Sequence, residues 1–194
     1  PKVQIDLEER VSSVITRMVL DNAADIGIFA SSEDEHLLEV FPYRADRMVL
    51  VAPVRHPLAA MRSVAFADSL DYDHIGMHRG SAGNYLLAKA ASAAHRSLKM
   101  RFQVTSYDAM ISMIKAGMGV GMMPVDAIAL YVVQGLAIVD LSDDWAQRRL
   151  KLCVRAEQGL TTAGRLLLDH LKAASGDQTV AVCGPRSAAI SSAE

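Results

Sequence analysis

The alternation of apolar and polar residues defines the first three elements of the chain. Over residues 3–8 every second residue is apolar, which is the period of a strand with one covered face. In residues 11–19 the apolar positions recur at three- and four-residue spacing, so this segment is predicted to be an amphipathic helix. Residues 24–29 form a short, mostly apolar run that suits a buried strand. The predicted order is therefore βαβ.

Two further strands are predicted at residues 37–41 and 47–54, with a turn between them over residues 42–46. Pro53 and Pro57 then bracket a segment that can continue neither a helix nor a central strand. A boundary between two units is expected here.

The second unit alternates strands and helices. Its predicted elements are a strand at 74–78, a helix at 82–95, a strand at 100–104, a helix opened by Thr105 and Ser106 and closed by Gly117, a strand at 119–123 and a helix at 125–134. The chain ends with predicted strands at 136–141 and 149–154, a helix through residue 173, and a tail at 175–194 expected to be poorly ordered. This order predicts the α/β class.

Composition and charge narrow the function classes. The 194 residues are 51% hydrophobic but only 5% aromatic, and the net charge is −2 with no run of Lys or Arg. A self-sufficient nucleic-acid binder would carry a basic surface. Cys153 and Cys183 lie in unrelated contexts, which suits unpaired thiols in a reducing compartment. No leader and no apolar run of about 20 residues is present, so the sequence predicts a cytoplasmic protein. With no CxxC pair and no His cluster, neither a metal site nor a cofactor is expected.

Several motifs, in their order, resemble the effector-binding domain of LysR-type transcription regulators. The strand ADIGIF precedes FPYRADRMVLVAPVRHPLA, which is similar to the family's crossing strand ending in HPLA. Downstream, Ile114, Gly117, Gly119 and Pro124 match the fixed positions of the family pattern V-x-x-G-x-G-x-x-x-x-P, with Ile in place of Val and Gly121 at a variable position. The resemblance covers roughly residues 3–171. Each motif alone is weak, and the ordered set is fairly specific.

The resemblance implies two Rossmann-like α/β lobes joined by two crossover strands, as in type 2 periplasmic binding proteins. Lobe I would comprise residues 1–53 plus 145–174, and lobe II residues 54–144. A small effector, with an organic anion as one candidate, would bind between the lobes. The chain would then be a sensing and oligomerisation domain, not an enzyme, and would form a homodimer or homotetramer through residues 3–7 and 82–95. DNA would be bound only through a winged helix-turn-helix outside this chain, with no role for a membrane.

The family pattern also includes a first strand and helix that have no counterpart after Pro1. In such folds that first strand is central in its sheet, and its absence would leave backbone groups unpaired. We therefore expect the protein to extend upstream of Pro1.

The candidate ligand-binding residues lie where predicted strands end and helices begin, since helix N-termini present free N–H groups. They are Phe29, Ala30, Arg79, Gly80, Ser81, Thr105, Ser106, Met123 and Pro124. Each has a plain structural alternative. Ser81 and the Thr105–Ser106 pair would serve equally well as helix caps, Arg79 as a solvated surface charge, and Phe29 and Met123 as core packing.

Competing functions are weaker matches to the sequence. The Gly117, Gly119 and Gly121 series closes a helix and opens a strand, the reverse of a dinucleotide-binding fingerprint, so these glycines are expected to turn the chain and allow close packing. Motifs of nucleophilic catalysis are absent from the sequence. Two alternatives stay open: a solute-binding receptor of the same fold, which requires a secretory leader, and an enzyme on this fold, which requires an acid or base in the cleft.

Overall fold

The computed structural model describes residues 3–30 and 33–175. Within them the strands are β1 (Gly27–Phe29), β2 (Glu39–Pro53), β3 (Ser63–Val64), β4 (His74–Met77), β5 (Met100–Val104), β6 (Val120–Pro124), β7 (Leu136–Leu141) and β8 (Gln147–Val154). The α-helices are α1 (Ser12–Leu20), α2 (Phe66–Ser69), α3 (Ala82–Ala93), α4 (Tyr107–Lys115), α5 (Val125–Ile128) and α6 (Thr162–Ser175). Short 3₁₀ turns lie between several of them.

The long strand β2 belongs to both lobes of the molecule. Its first part, from Glu39 to Arg47, pairs antiparallel with β8, which also pairs with β1. Its second part, from Met48 to Pro53, pairs antiparallel with β6 on one side and β7 on the other. The hydrogen-bonding partners of β2 therefore change at Arg47 and Met48.

The second connection between the lobes is formed by β7 and β8. Both strands run antiparallel to β2, so β8 continues along β2 where β7 ends. A 3₁₀ turn over Asp144–Ala146 interrupts them, and there Trp145 packs edge-on against Phe66, with ring centroids 5.4 Å apart. Asp143 fixes this turn because its Oδ2 accepts a hydrogen bond from Phe66 N at 2.7 Å. Two crossover strands thus join the lobes, and the predicted fold class is confirmed.

Lobe II contains a parallel sheet. Its parallel strands follow the order β6, β4, β5, with helices on both faces. Because side chains alternate across a strand, Leu50 of β2 packs towards α3 while Val51 packs towards α4. Burying each such side chain contributes about 1.5–3 kcal/mol.

In lobe I the same alternation along β8 separates two smaller cores. Cys153 packs with Val19 of α1 and with Phe29, whereas Leu152 and Val154 pack with Leu168 of α6. Burial raises the pKa of the Cys153 thiol to about 11, so it behaves as a small apolar side chain. Cys183 lies outside the described residues.

The three glycines near β6 act as the sequence predicts. Gly117 has φ +74°, a left-handed conformation that ends α4. Gly119 has φ +154°, and a Cβ there would lie 2.5 Å from the carbonyl oxygen of Asp73. At Gly121 a Cβ would meet the Ile114 side chain at 2.8 Å. Only a residue without a side chain lets β6 pack this closely between β4 and α4.

The structure differs from the sequence-based expectations in three segments. Residues 3–11 are largely exposed and form no strand, because no described strand offers them a partner. The predicted turn at 42–46 lies within the continuous strand β2, where a bulge between Pro42 and Arg44 accommodates the missing N–H of proline. The helix expected over residues 125–134 ends already at Ile128.

Several broad features concern only the described residues. None of their helices combines the length and the apolar character needed to cross a bilayer. They also contain no cluster of three or more His, Cys, Asp or Glu side chains arranged to hold a metal ion. Apart from Ser175, which ends α6, the tail at 175–194 lies outside them.

Candidate ligand cleft between the lobes

Three strands of lobe II end at one edge of its sheet. His78 N, just after β4, donates a hydrogen bond of 2.8 Å to Val104 O at the end of β5. On the other side β4 pairs in parallel with β6, through Ile75 and Gly121. The carboxyl ends of β4, β5 and β6 therefore share this edge, and the candidate residues of lobe II lie at these strand ends or in the segments that follow them.

Ser81 is placed by the turn that follows β4. Its backbone N donates to His78 O at 3.2 Å, and its Oγ accepts a hydrogen bond from Asn84 N at 3.1 Å, which caps α3. The residue is only 4% exposed. Arg79 and Gly80 form the exposed tip of the same turn, where Gly80 has φ +91°. Arg79 makes no ion pair within the described part of the chain, so its charge faces solvent.

Ser106 takes the equivalent position before α4. Its Oγ accepts a hydrogen bond from Ala109 N at 3.2 Å, and both Thr105 and Ser106 are exposed. These two hydroxyl groups are therefore accessible to a molecule bound at this edge. The capping role that sequence analysis offered as an alternative is met at Ser81 and Ser106. Ser106 is also exposed to a ligand, whereas Ser81 is largely buried.

The two candidates on β6 differ in burial. Met123 is fully buried in the core against α4, in agreement with the core-packing alternative that sequence analysis gave for it. Pro124 is half-buried at the end of the strand, opposite Met48 of β2. The prediction that they contact an effector remains untested.

The lobe I candidates lie at the end of β1. Phe29 is buried in the α1 core and pairs with Lys151 of β8, whose Nζ lies 5.9 Å from the ring centroid. Ala30 N donates a hydrogen bond of 3.2 Å to the Oγ of Ser12, the first residue of α1. Sequence analysis missed Ser12, because its hydroxyl does not cap α1 and its contact with Ala30 exists only in the folded chain.

The ends of β1 and β6 point towards each other. β1 runs in the direction of β2 and β6 runs against it, so their carboxyl ends converge along β2. In register, Phe29 lies level with Pro42 and Pro124 lies level with Met48. At about 3.3 Å per residue, the stretch of β2 between those levels spans roughly 20 Å. The candidate residues of both lobes therefore border one interlobe region.

A tyrosine at the start of α4 links this region to the segment before α1. Burial raises the pKa of Tyr107 to about 12, with smaller contributions from the Glu9 carboxylate and from Tyr131. The Glu9 carboxylate thus interacts electrostatically with the first residue of α4. Tyr107 was not among the residues expected from the sequence.

The floor of the interlobe region is a two-stranded ribbon, residues 43–47 of β2 and 147–151 of β8, hereafter the crossover ribbon. It carries one carboxylate, Asp46, and five cationic side chains. These are Arg44, Arg47, Arg148, Arg149 and Lys151. Such an excess of positive charge favours an anionic ligand.

Three of these cations have carboxylate partners. Arg47 pairs with Asp140 at 2.6 Å, Lys151 pairs with Glu35 at 2.8 Å, and Arg148 pairs with Asp46. Arg44 and Arg149 form no ion pair with any described residue. Sequence analysis attributed Asp46 to a turn, whereas it lies within β2 opposite Arg148. The charged residues at alternating positions 44 and 46 could have indicated a strand here.

Replacing Ser81 by alanine tests its capping role. The variant should lose about 1 kcal/mol of unfolding free energy, because Asn84 N loses its acceptor at a buried helix start. Ser106→Ala is the matched control, since the same bond is exposed there and should contribute less. Urea denaturation followed by circular dichroism measures both; an equal or larger loss at Ser106 would contradict the expectation.

Comparison with known proteins agrees with this architecture. A family model described as the LysR substrate binding domain matches residues 1–176. The HTH-type transcriptional regulator CysL of Bacillus subtilis is 24% identical over 123 residues, covering 63% of this chain and 41% of CysL. The malonate utilization transcriptional regulator of Klebsiella pneumoniae is 24% identical over 153 residues, covering 77% and 49%. The chain thus spans less than half the length of these two relatives.

Solved structures share the fold. The regulatory domain of CcmR from Synechocystis PCC6803, in complex with 2-PG, superposes with a TM-score of 0.71 at 21% identity, covering 86% of this chain and 81% of that one. The effector-binding domain of QuiR in complex with shikimate gives 0.66 at 20% identity, covering 86% and 78%. The two lobes, the crossing strands and the family match over residues 1–176 together establish that this chain belongs to the LysR substrate binding domain family.

Proposed function

We propose that this chain is the effector-sensing domain of a LysR-type transcription regulator, and that it binds a small organic anion between its lobes. The observation that carries the proposal is the convergence of β1 with β4, β5 and β6 on one region. Its borders carry the helix starts at Ser12, Ser81 and Ser106, and its floor is a cationic ribbon. Helix N-termini and unpaired guanidinium groups both favour anions.

Further support comes from the relatives. The curated proteins that match are transcription regulators, and the QuiR and CcmR domains were solved with shikimate and 2-PG, respectively. We propose the same regulatory class for this chain, with DNA contacts made by a winged helix-turn-helix outside it and a cytoplasmic location. On this basis it acts by binding, not by catalysis.

Signalling would follow from the two-lobed architecture. We retain the division into lobe I, residues 1–53 with 145–174, and lobe II, residues 54–144. An effector that contacts both lobes favours one closure angle and so shifts the population of conformations. A tenfold shift requires only about 1.4 kcal/mol of differential affinity, which a few polar contacts can supply.

An oligomer would carry this change to the DNA-binding domains. We propose a homodimer or homotetramer that uses residues 3–7 and the α3 face. This is supported by the exposure of Leu7 and Tyr85, two large apolar side chains on these segments.

Thermal-shift screening of the intact protein against a panel of small organic acids tests effector binding. A specific acid at about one hundred times its dissociation constant adds about 2.7 kcal/mol of stability and raises Tm. Arg79→Gln should reduce this rise, because Arg79 presents an unpaired charge at the lobe II edge. Lys89→Gln, which removes an exposed charge from the middle of α3, is the matched control and should leave it unchanged.

The outcomes separate the parts of the proposal. If no acid raises Tm, effector binding of this chemical class is contradicted. If an acid raises Tm equally in Arg79→Gln, the domain binds an acid but Arg79 does not contact it.

A further inference from the structure

The crossover ribbon contains three buried polar atoms that lack hydrogen-bond partners. Among the described residues these are Nε of Arg44, Nε of Arg148 and Oδ1 of Asp46. Asp46 is strongly enclosed, with only 8% of its side chain exposed, and its other oxygen pairs with Arg148. Polar groups buried without a partner are rare in folded proteins, and each calls for a physical explanation.

The three side chains belong to one face of the ribbon. Arg44 pairs in register with Leu150, and Asp46 pairs with Arg148 two residues further along. Residues two apart on a strand share a face, so the Arg44 guanidinium and the Asp46 carboxylate are neighbours. Two guanidinium groups and one carboxylate leave this cluster with one positive charge. A monoanion would neutralise it.

A groove of about 500 Å³ adjoins this cluster. Residues 40–45 of β2 and 149–151 of β8 line it, and Arg44 is one of them. Phe41, Tyr43 and Leu150 give it apolar walls. The Arg44 guanidinium carbon lies 5.1 Å from the Tyr43 ring centroid, an arrangement that holds the cation beside an aromatic surface.

We propose that this groove binds a small carboxylate with an apolar body, and that Arg44 is its anion contact. The proposal rests on the proposed function, since it assigns a chemical class and a contact residue to the effector. The carboxylate accepts a hydrogen bond from Arg44, whose Nε otherwise has no acceptor. The apolar body packs against Phe41, Tyr43 and Leu150.

Asp46 links this site to the strands that join the two lobes. It is the only acidic side chain of the ribbon, and its unpaired oxygen lies on the same face as the unpaired N–H of Arg44. Asp46 makes no hydrogen bond to Arg44, but its charge lies beside that guanidinium, so it competes electrostatically with a ligand carboxylate for Arg44 while its other oxygen holds Arg148 on the opposite strand. A ligand bound to Arg44 adds a second negative charge next to Asp46 and so changes the charge balance where the lobes join.

The test uses calorimetric titration of the intact protein with three matched probes: phenylacetate, phenylacetamide and acetate. Phenylacetate should bind. Phenylacetamide lacks the charge and acetate lacks the apolar body, so each should bind at least about tenfold more weakly. Equal binding of phenylacetate and phenylacetamide, or no binding of phenylacetate, would overturn the proposal.

Variants locate the site. Arg44→Gln should weaken phenylacetate binding by at least about tenfold, the size expected for a lost charge-assisted hydrogen bond. Arg17→Gln removes the same charge from the exposed face of α1, outside the ribbon and the groove, and should change affinity by no more than about twofold. Asp46→Asn should strengthen binding several-fold, because it removes the charge that competes for Arg44. Circular dichroism confirms that each variant is folded.

These results are separable from those of the proposed function. If an acid of the panel binds in an Arg79-dependent manner but equally well to Arg44→Gln, the domain is an effector sensor and the groove is not its site. If Asp46→Asn weakens binding or leaves it unchanged, the proposed competition between Asp46 and the ligand for Arg44 is contradicted.

Discussion

Replacing Gly119 by alanine is expected to lower the unfolding free energy by about 3 kcal/mol or more. The added Cβ would lie 2.5 Å from the Asp73 carbonyl oxygen, which is backbone and accepts a hydrogen bond of 2.9 Å from Val120 N. Relief of the overlap would require β6 to move away from the start of β4. Urea denaturation followed by circular dichroism measures the loss.

Gly117→Ala is the matched control for this prediction. Gly117 also has a positive φ, +74°, but a Cβ there meets no atom within 4 Å. Only the conformational cost of about 1 kcal/mol applies. If the two variants lost the same stability, the backbone contact at Asp73 would not be what requires glycine at position 119.

The second large effect is expected from Arg148→Met on the crossover ribbon. This change leaves the Asp46 carboxylate buried without its ion-pair partner, and breaking a buried pair costs about 3 kcal/mol or more. Burial already lowers the pKa of Arg148, which shows how far the pair is removed from water. The loss appears as a lower urea midpoint with an unchanged slope.

Two further variants test whether the loss of stability comes from the buried Arg148–Asp46 ion pair. Arg47→Met breaks the neighbouring Arg47–Asp140 pair, whose side chains are 44% and 47% exposed, and should cost only about 0–1 kcal/mol. The double variant Asp46→Leu/Arg148→Met removes both buried charges and should recover most of the stability lost in Arg148→Met. If the double variant is as unstable as the single one, the loss comes from packing around Arg148 and not from the unpaired carboxylate.

Lobe II could be predicted well from the sequence because its signals are local. Ser81 and Ser106 were recognised as helix starts, and Gly117 as a helix end, since capping residues act on backbone groups within one turn. The strand ends and helix starts at this edge were therefore predicted correctly, and the core-packing alternative stated for Met123 agrees with its burial.

The crossover ribbon could not be predicted in the same way because it depends on pairing between distant residues. Pro42 and the charged residues after it resemble a turn when viewed alone. Their strand conformation comes from β8, about one hundred residues later, where Arg148 supplies the charge opposite Asp46. Ser12 was missed for a related reason, since its partner Ala30 is brought to it by the fold.

Trp145 gives the protein a built-in optical probe. It is the single tryptophan of the chain. Its ring packs edge-on against Phe66 in the 3₁₀ turn between β7 and β8. Indole emission depends on the polarity and the contacts around the ring. A change in the angle between the halves of the molecule would therefore alter intrinsic fluorescence, so ligand-driven closure can be followed in real time without attaching a dye.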